Sequence, residues 1–191
     1  MSDATITPSG VPAVSIVTAA YNAVATLAET VASVIAQTEP DWELVIVDDG
    51  STDATRQIAA EFAAKDPRIR VVSQQNAGTA AARNAGVREA RAEWLCMLDA
   101  DDLLIPAFLE RMTVFREERP GYDIYSPITT MLLRDGRRVP LMTGREWETV
   151  RSVSIAAQMR ESSIAQVSLV RRAVLDRVGG YRSVYSEDYD F

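Results

Sequence analysis

The chain has 191 residues, 47% of them hydrophobic and 25% charged, with a formal net charge of −7. That length supports one full-sized domain with its own core, and the composition is globular. The acidic balance and the scatter of Lys and Arg argue against a nucleic-acid track, and an acidic chain that binds a nucleotide diphosphate needs a divalent cation between carboxylate and phosphate.

Residues 1–12 read as a loose leader, small, polar and containing Pro and Gly. Val14-Ser15-Ile16-Val17-Thr18 is β-branched and apolar enough for a strand buried on both faces. A helix is expected from about Thr26 to Gln37. Thr26 and Glu29 have capping-box spacing, and Leu27, Val31, Val34 and Ile35 form its inner face. Leu44-Val45-Ile46-Val47 is the second strand. Asp48-Asp49-Gly50-Ser51 ends it, and Ser51 or Thr52 is expected to cap a helix that turns Ile58 and Phe62 inward.

Ile69-Arg70-Val71-Val72 is the third strand. Thr79 to Ala90 reads as a helix whose Ala81, Ala82, Ala85 and Gly86 allow close packing on a sheet. The fourth strand, Trp94 to Leu98, runs straight into Asp99-Ala100-Asp101-Asp102 and carries the lone cysteine, Cys96, as a buried thiol. Pro106 suits the first turn of a further helix with Phe108, Leu109, Met112 and Phe115 inside. This alternation predicts a parallel, layered α/β sheet with right-handed crossovers. After Pro120 the pattern changes. Thr129–Leu133 and Arg137–Leu141 flank Asp135-Gly136, a hairpin signal, so the second half is expected to be mixed sheet with short helices.

The chain contains no histidine. His-based triads and His-ligated zinc therefore drop out, and acid–base chemistry falls to carboxylate, lysine or tyrosine. No basic region precedes an apolar stretch at the N-terminus, and no apolar run approaches a membrane span. A cytoplasmic protein is expected, with peripheral association at the inner membrane face left open.

Ligands of open α/β sheets bind outside the carboxyl ends of the strands. Asp48-Asp49 and Asp99-x-Asp101-Asp102 both follow strands and would share that edge, where a cation, a ribose or a base could offset their repulsion. Each has a plainer reading: a turn with helix capping for the first, an exposed loop for the second. Asn76-Ala77-Gly78 and Arg83-Asn84 form a third group; Arg83 suits phosphates or base carbonyls, or is a surface arginine. Tyr21-Asn22 either edges a base or supplies a core tyrosine. Ser186-Glu187-Asp188-Tyr189-Asp190, after Gly179-Gly180-Tyr181, is either a solvated acidic tail or the source of a general base.

Five segments in order, covering nearly all of the chain from Val14, resemble family-2 glycosyltransferases of the GT-A fold. They are Val14 to Asn22, Val45 to Asp53, Asn76 to Gly86, Leu98 to Asp102, and Gly179-Gly180-Tyr181 leading to Glu187-Asp188-Tyr189-Asp190. The resemblance implies a three-layer α/β sandwich with a mostly parallel sheet and a smaller mixed-sheet region. It implies one domain over 13–191, with 13–119 binding the nucleotide sugar and 120–191 on the acceptor side. Ala19, Tyr21, Asp49, Gly78, Arg83 and Asp99 would line the donor site: Tyr21 and Asp49 at the nucleobase, Arg83 nearby, Asp99 at the ribose. Asp101 would bind Mn2+ or Mg2+, and Asp188, paired with Glu187, would be the catalytic base.

The implied reaction inverts the anomeric carbon in one displacement. It moves a sugar from a nucleotide diphosphate, a UDP-sugar, to a sugar or lipid-linked acceptor in cell-surface polysaccharide or glycolipid synthesis. The family usually continues well past the position of Phe191, which leads us to expect a C-terminal truncation. A nucleotide-binding module without turnover is the second hypothesis. A nucleotidyltransferase ranks lower, because Ala19-Ala20-Tyr21-Asn22-Ala23 is not a Gly-rich, basic phosphate loop.

Overall fold

The computed structural model describes residues 10–126, 130–132, 138–140 and 167–182. Four parallel strands form its centre: β1 (Val14–Ala20), β2 (Trp42–Asp48), β3 (Ile69–Ser73) and β4 (Trp94–Met97). Two further strands, β5 (Ile124–Tyr125) and β8 (Leu169–Arg171), extend the sheet beyond β4, β8 antiparallel to β4 and β5 antiparallel to β8, giving the order β3-β2-β1-β4-β8-β5. A separate two-stranded pair, β6 (Thr130–Leu132) and β7 (Arg138–Pro140), is antiparallel, as the hairpin signal predicts; Asp135-Gly136 lies outside the described residues.

Both faces of the sheet are covered, which is why its central strands read as unbroken apolar runs. On one face, Ile16, Leu44, Ile46 and Cys96 pack with α1 (Leu27–Ile35), α2 (Thr55–Ala63) and α4 (Phe108–Glu118). On the other, Val17, Val45, Val47, Leu95 and Met97 meet α3 (Thr79–Glu89) and α5 (Arg172–Val178). Cys96 is fully buried, and burial pushes its thiol up to about 12, so it is an unreactive core group.

Several local expectations change. The Thr26 side chain makes no cap hydrogen bond and Glu29 closes no capping box. Asp53, not Ser51 or Thr52, accepts the Thr55 N–H at 2.9 Å at the start of α2. Ser51 and Thr52 are drawn away to Asn22 by the neighbouring loop. Helix α1 buries Thr30 in place of Ile35, because the Thr30 hydroxyl donates to the Ala100 carbonyl at 2.9 Å. Helix α4 starts at Phe108, after a turn that holds Pro106, and Phe115 lies exposed beside Tyr125, their rings edge to face.

Helix α3 seats against β1 and β2 at a distance only glycine permits. A Cβ on Gly86 would overlap Val17 Cγ1 and crowd Val47 Cγ2. Arg172 of α5 then satisfies the open carbonyls at the C-terminal end of α3, its guanidinium donating to Val87 O at 2.7 Å and Ala90 O at 2.6 Å. Beneath that end, Glu43 is buried from water. It accepts from Ser15 Oγ and the Arg91 N–H, each at 2.6 Å, from Arg91 Nε at 2.8 Å and from an Arg70 nitrogen at 3.1 Å.

Burial alone would raise the Glu43 pKa. The hydrogen bonds from Ser15 and Arg91 and the charge of Arg70 outweigh burial, and the carboxyl titrates below its usual value of 4.5. A depressed folded-state pKa contributes stability that is complete above the unfolded value and disappears as pH falls through the folded one. Glu43→Gln should therefore lower unfolding free energy at neutral pH by on the order of 2 kcal/mol. Its deficit relative to the parent should shrink as pH drops below about 4.5. Urea unfolding of both proteins across that range would measure the gap; a pH-independent gap contradicts the account.

Candidate functional site

The C-terminal ends of β1, β2 and β4, with the N-terminal end of α3, form one rim. At β1, Ala19 is half-buried and Tyr21 is 52% exposed, which removes the core reading of Tyr21. Asn22 follows in the left-handed region at φ 51°, a conformation asparagine tolerates better than most residues. This bend lets the Asn22 N–H donate to Ser51 Oγ at 3.1 Å, while Asn22 Oδ1 accepts the Thr52 N–H at 2.9 Å. The Ala23 N–H donates to Thr55 Oγ1 at 2.8 Å. The loops after β1 and β2 are thus stitched together beneath Tyr21.

Asp48 and Asp49 differ in task. Asp48 Oδ1 accepts the Ser51 N–H at 3.2 Å, closing the turn. Asp49 is 3% exposed and receives three donors: Gln74 Nε2 at 2.7 Å and the Ala77 N–H at 3.0 Å on Oδ1, and the Gly78 N–H at 2.9 Å on Oδ2. Its carboxylate therefore fixes the loop that leads into α3. Gly50 permits this approach, since at φ 73° an added Cβ would lie 2.7 Å from the Asn76 nitrogen. Gly78, at φ 88°, turns the chain into the helix. Sequence reasoning missed Asn22 and Gln74 as loop anchors. An Asn two residues past the end of a buried strand is a signal for the first; Gln74 offers none.

One turn into α3, Arg83 is 6% exposed, so it is not a surface arginine. It donates to Asp99 Oδ1 at 2.8 Å, and its guanidinium carbon lies 5.7 Å from the centre of the Tyr181 ring. Burial pushes the Tyr181 hydroxyl up to about 12, partly opposed by Arg83, which leaves it protonated at neutral pH. Two residues past Asp99, Asp101 is exposed and has no hydrogen bond or ion pair among the described residues. Asp102 titrates above the usual carboxylate range, first through burial and then through the charges of Asp99 and Asp101. Negative charge at this loop is thus only partly balanced. No group of three or more metal-ligating side chains converges among the described residues. A cation here would rest on one or two carboxylates completed by ligand oxygens, the arrangement magnesium favours.

The structure brings Asp49 together with Gly78, and Arg83 with Asp99, on the rim that also carries Ala19, Tyr21 and Asp101. Glu187 and Asp188 lie outside the described residues. A doubly covered, mostly parallel sheet with polar groups gathered where its strands end has the layout in which open α/β proteins bind ligands, outside the carboxyl ends of the strands.

Residues 15–161 match Glycosyl transferase family 2, and the chain belongs to that family. It is 42% identical over 109 residues to TuaG of Bacillus subtilis, a glycosyltransferase named for teichuronic acid biosynthesis, covering 56% of this chain and 43% of TuaG. It is 36% identical over 148 residues to the succinoglycan biosynthesis protein ExoO of Rhizobium meliloti, covering 77% of this chain and 42% of ExoO. The chain thus spans less than half the length of these relatives. Among solved structures, S. aureus TarS 1-349 superposes with a TM-score of 0.74 at 25% identity, covering 92% of this chain and 52% of that one. The same TarS piece is known in complex with UDP-GlcNAc, at a TM-score of 0.71 and 23% identity, covering 88% of this chain and 48% of that one. The mannosyltransferase PcManGT of Pyrobaculum calidifontis, solved with GDP-Man and Mn2+, gives 0.64 at 23% identity, covering 92% and 49%. These likenesses establish the GT-A fold.

The three donors on Asp49 give a direct test of its place in the rim. Asp49→Asn puts an NH2 group against backbone N–H donors and should cost about 1–3 kcal/mol of unfolding free energy. The effect should be concentrated in the loop before α3, so amide exchange at Ala77 and Gly78 should accelerate most. Unaltered exchange at those two amides would mean that Asp49 does not hold the loop.

Proposed function

We propose that this chain is the donor-binding part of an inverting glycosyltransferase. The enzyme moves a sugar from a nucleotide-diphosphate sugar, a UDP-sugar, to an acceptor hydroxyl in cell-surface polysaccharide or glycolipid synthesis. The observation that carries the proposal is the division of labour on the rim. Asp49 and the Arg83–Asp99 pair are internally satisfied and hold its shape, while Tyr21 and Asp101 remain exposed toward a ligand. The biosynthetic names of TuaG and ExoO support polymer synthesis, and the TarS complex with UDP-GlcNAc supports a uridine donor.

In this reading Tyr21 packs on the nucleobase, with Ala19, Asp49 and Gly78 shaping its pocket. Arg83 stands near the nucleobase, and Asp99 meets the ribose. Asp101 would hold Mn2+ or Mg2+, which supplies charge neutralisation for the diphosphate when bound. The PcManGT complex with Mn2+ supports that choice of cofactor. Asp188, with Glu187 beside it in sequence, takes the acceptor proton as the acceptor oxygen attacks the anomeric carbon. The nucleotide leaves on the opposite side, which inverts that centre. No helix among the described residues is long and apolar enough to cross a membrane. We place the reaction on the cytoplasmic side, with the acceptor at the inner membrane face. A donor-binding module without turnover is the competing reading, and donor binding with neither transfer nor donor hydrolysis by the full-length protein would favour it.

Calorimetric titration with UDP, with Mn2+ and then with chelator, tests the donor site. UDP should bind at least about tenfold more tightly with the metal, and Asp101→Asn should abolish most of that gain while leaving metal-free affinity unchanged. Equal affinity with and without metal removes Asp101 as a ligand. The base is tested in the full-length enzyme. There Asp188→Asn should leave UDP affinity intact and lower sugar transfer by roughly 10²-fold or more. Transfer at the parent rate would end the assignment of Asp188.

A further inference from the structure

Asn84 has no part in the reaction as described, yet it makes a two-point contact with a distant part of the chain. Its side-chain amide grips the backbone of Tyr181, 97 residues away in sequence. Nδ2 donates to the Tyr181 carbonyl at 2.8 Å, and Oδ1 accepts the Tyr181 N–H at 2.8 Å. A backbone N–H and carbonyl together fix which way the amide points, since only one orientation offers an acceptor to the first and a donor to the second.

The partner segment is shaped to receive it. Gly179 ends α5 in the left-handed region at φ 84°, and Gly180 continues at φ 81°. A Cβ on Gly180 would lie 2.5 Å from Asn84 Oδ1, so the contact requires glycine there. The Tyr181 ring is then buried against Val17, Leu95, Met97 and Leu175. Arg83, the neighbour of Asn84, pairs with Asp99 on the rim. Two adjacent residues of α3 thus hold two different things: one holds the acidic loop after β4, the other the turn after α5.

We propose that Asn84 is a positioning residue. It locks the Gly179–Tyr181 turn to the helix that carries Arg83, and so sets where the acceptor-side chain departs relative to the donor rim. The inference rests on the functional reading above, in which Glu187 and Asp188, six and seven residues after Tyr181, supply the base. Its consequence is a split. Losing the clamp leaves the hydrogen bonds of Asp49 and the Arg83–Asp99 ion pair in place, because Asn84 takes part in neither, while it frees the Gly179–Tyr181 turn from α3.

The test uses the full-length enzyme, Asn84→Ala, and Asn84→Asp as a second variant that keeps size but sets a carboxylate against the Tyr181 carbonyl. UDP affinity with Mn2+ should stay within about twofold of the parent, since neither the Asp49 hydrogen bonds nor the Arg83–Asp99 pair involves Asn84. Turnover of UDP-GlcNAc, read as UDP release, should fall by roughly tenfold or more in both variants. The Tyr181 amide should exchange about fivefold faster or more, with Asp49-bound Gly78 unaffected. Unchanged turnover beside an accelerated Tyr181 amide would overturn the positioning role. Equal losses of UDP affinity and turnover would also overturn it, because the residue would then act only through the fold. If the parent neither binds UDP nor turns over UDP-GlcNAc, the functional reading has failed instead. The clamp itself is then decided by Tyr181 exchange alone, and an unaltered rate refutes it.

Discussion

The seat of α3 on β1 and β2 is the constraint on which the rim depends. Gly86 removes the side chain that would meet Val17, and Ala82 and Ala85 keep the rest of that face thin. The helix axis can then come close enough for Arg83 to reach across to Asp99 and for Asn84 to reach Tyr181. A helix so rich in small residues buries little area of its own, so burial alone would hold it weakly. Its ends are tied instead by polar contacts. The Asp49 carboxylate holds the loop before it, and the Arg172 guanidinium holds the carbonyls at its close. These ties are directional where apolar packing is not, and they fix the helix along its axis as well as against the sheet.

Charge is distributed in the same spirit. Glu43 and Asp49 are both buried carboxylates, and each is surrounded by donors, so neither carries an unpaired charge out of water. They stand at opposite ends of β2, one near the end of α3 and one before its start. Asp101 and Asp102 are different. Arg83 pairs with Asp99 in their loop, and Asp102 titrates above the usual carboxylate range, first through burial and then through the charges of Asp99 and Asp101.

Much of this was legible in the sequence because it rested on periodicity and on residue size. The runs Val14–Thr18 and Leu44–Val47 are apolar on both faces because the sheet is covered twice, and Gly86 among alanines announces a close helix. The parts that were not legible depend on partners far away in the chain. Thr30 displaces Ile35 from the inner face because Ala100, 70 residues on, offers its carbonyl. Thr26 and Glu29 have the right spacing for a capping box, but spacing does not say whether the side chains turn toward the helix. Arg83 looked like a coin toss between surface and site because no local pattern shows that Tyr181 and Asp99 will close over it.

The same long-range logic bears on how the two halves of the chain relate. The sequence changes character near Pro120, yet the sheet does not stop there. Strand β8, from well beyond that point, inserts between β4 and β5 and hydrogen-bonds to both. Helix α5 follows it immediately, and its first residue, Arg172, caps α3. Trp94 of β4 lies between Arg116 of α4 and Arg171 of β8, with their guanidinium carbons 5.3 and 5.0 Å from its ring. The rim and the turn at Gly179–Tyr181 therefore share the sheet and helix α3. We propose on these grounds that 13–191 behaves as one cooperative unit. Loosening α3 would then disturb the rim and the Gly179–Tyr181 turn together, whereas releasing Asn84 alone would free the turn from the helix.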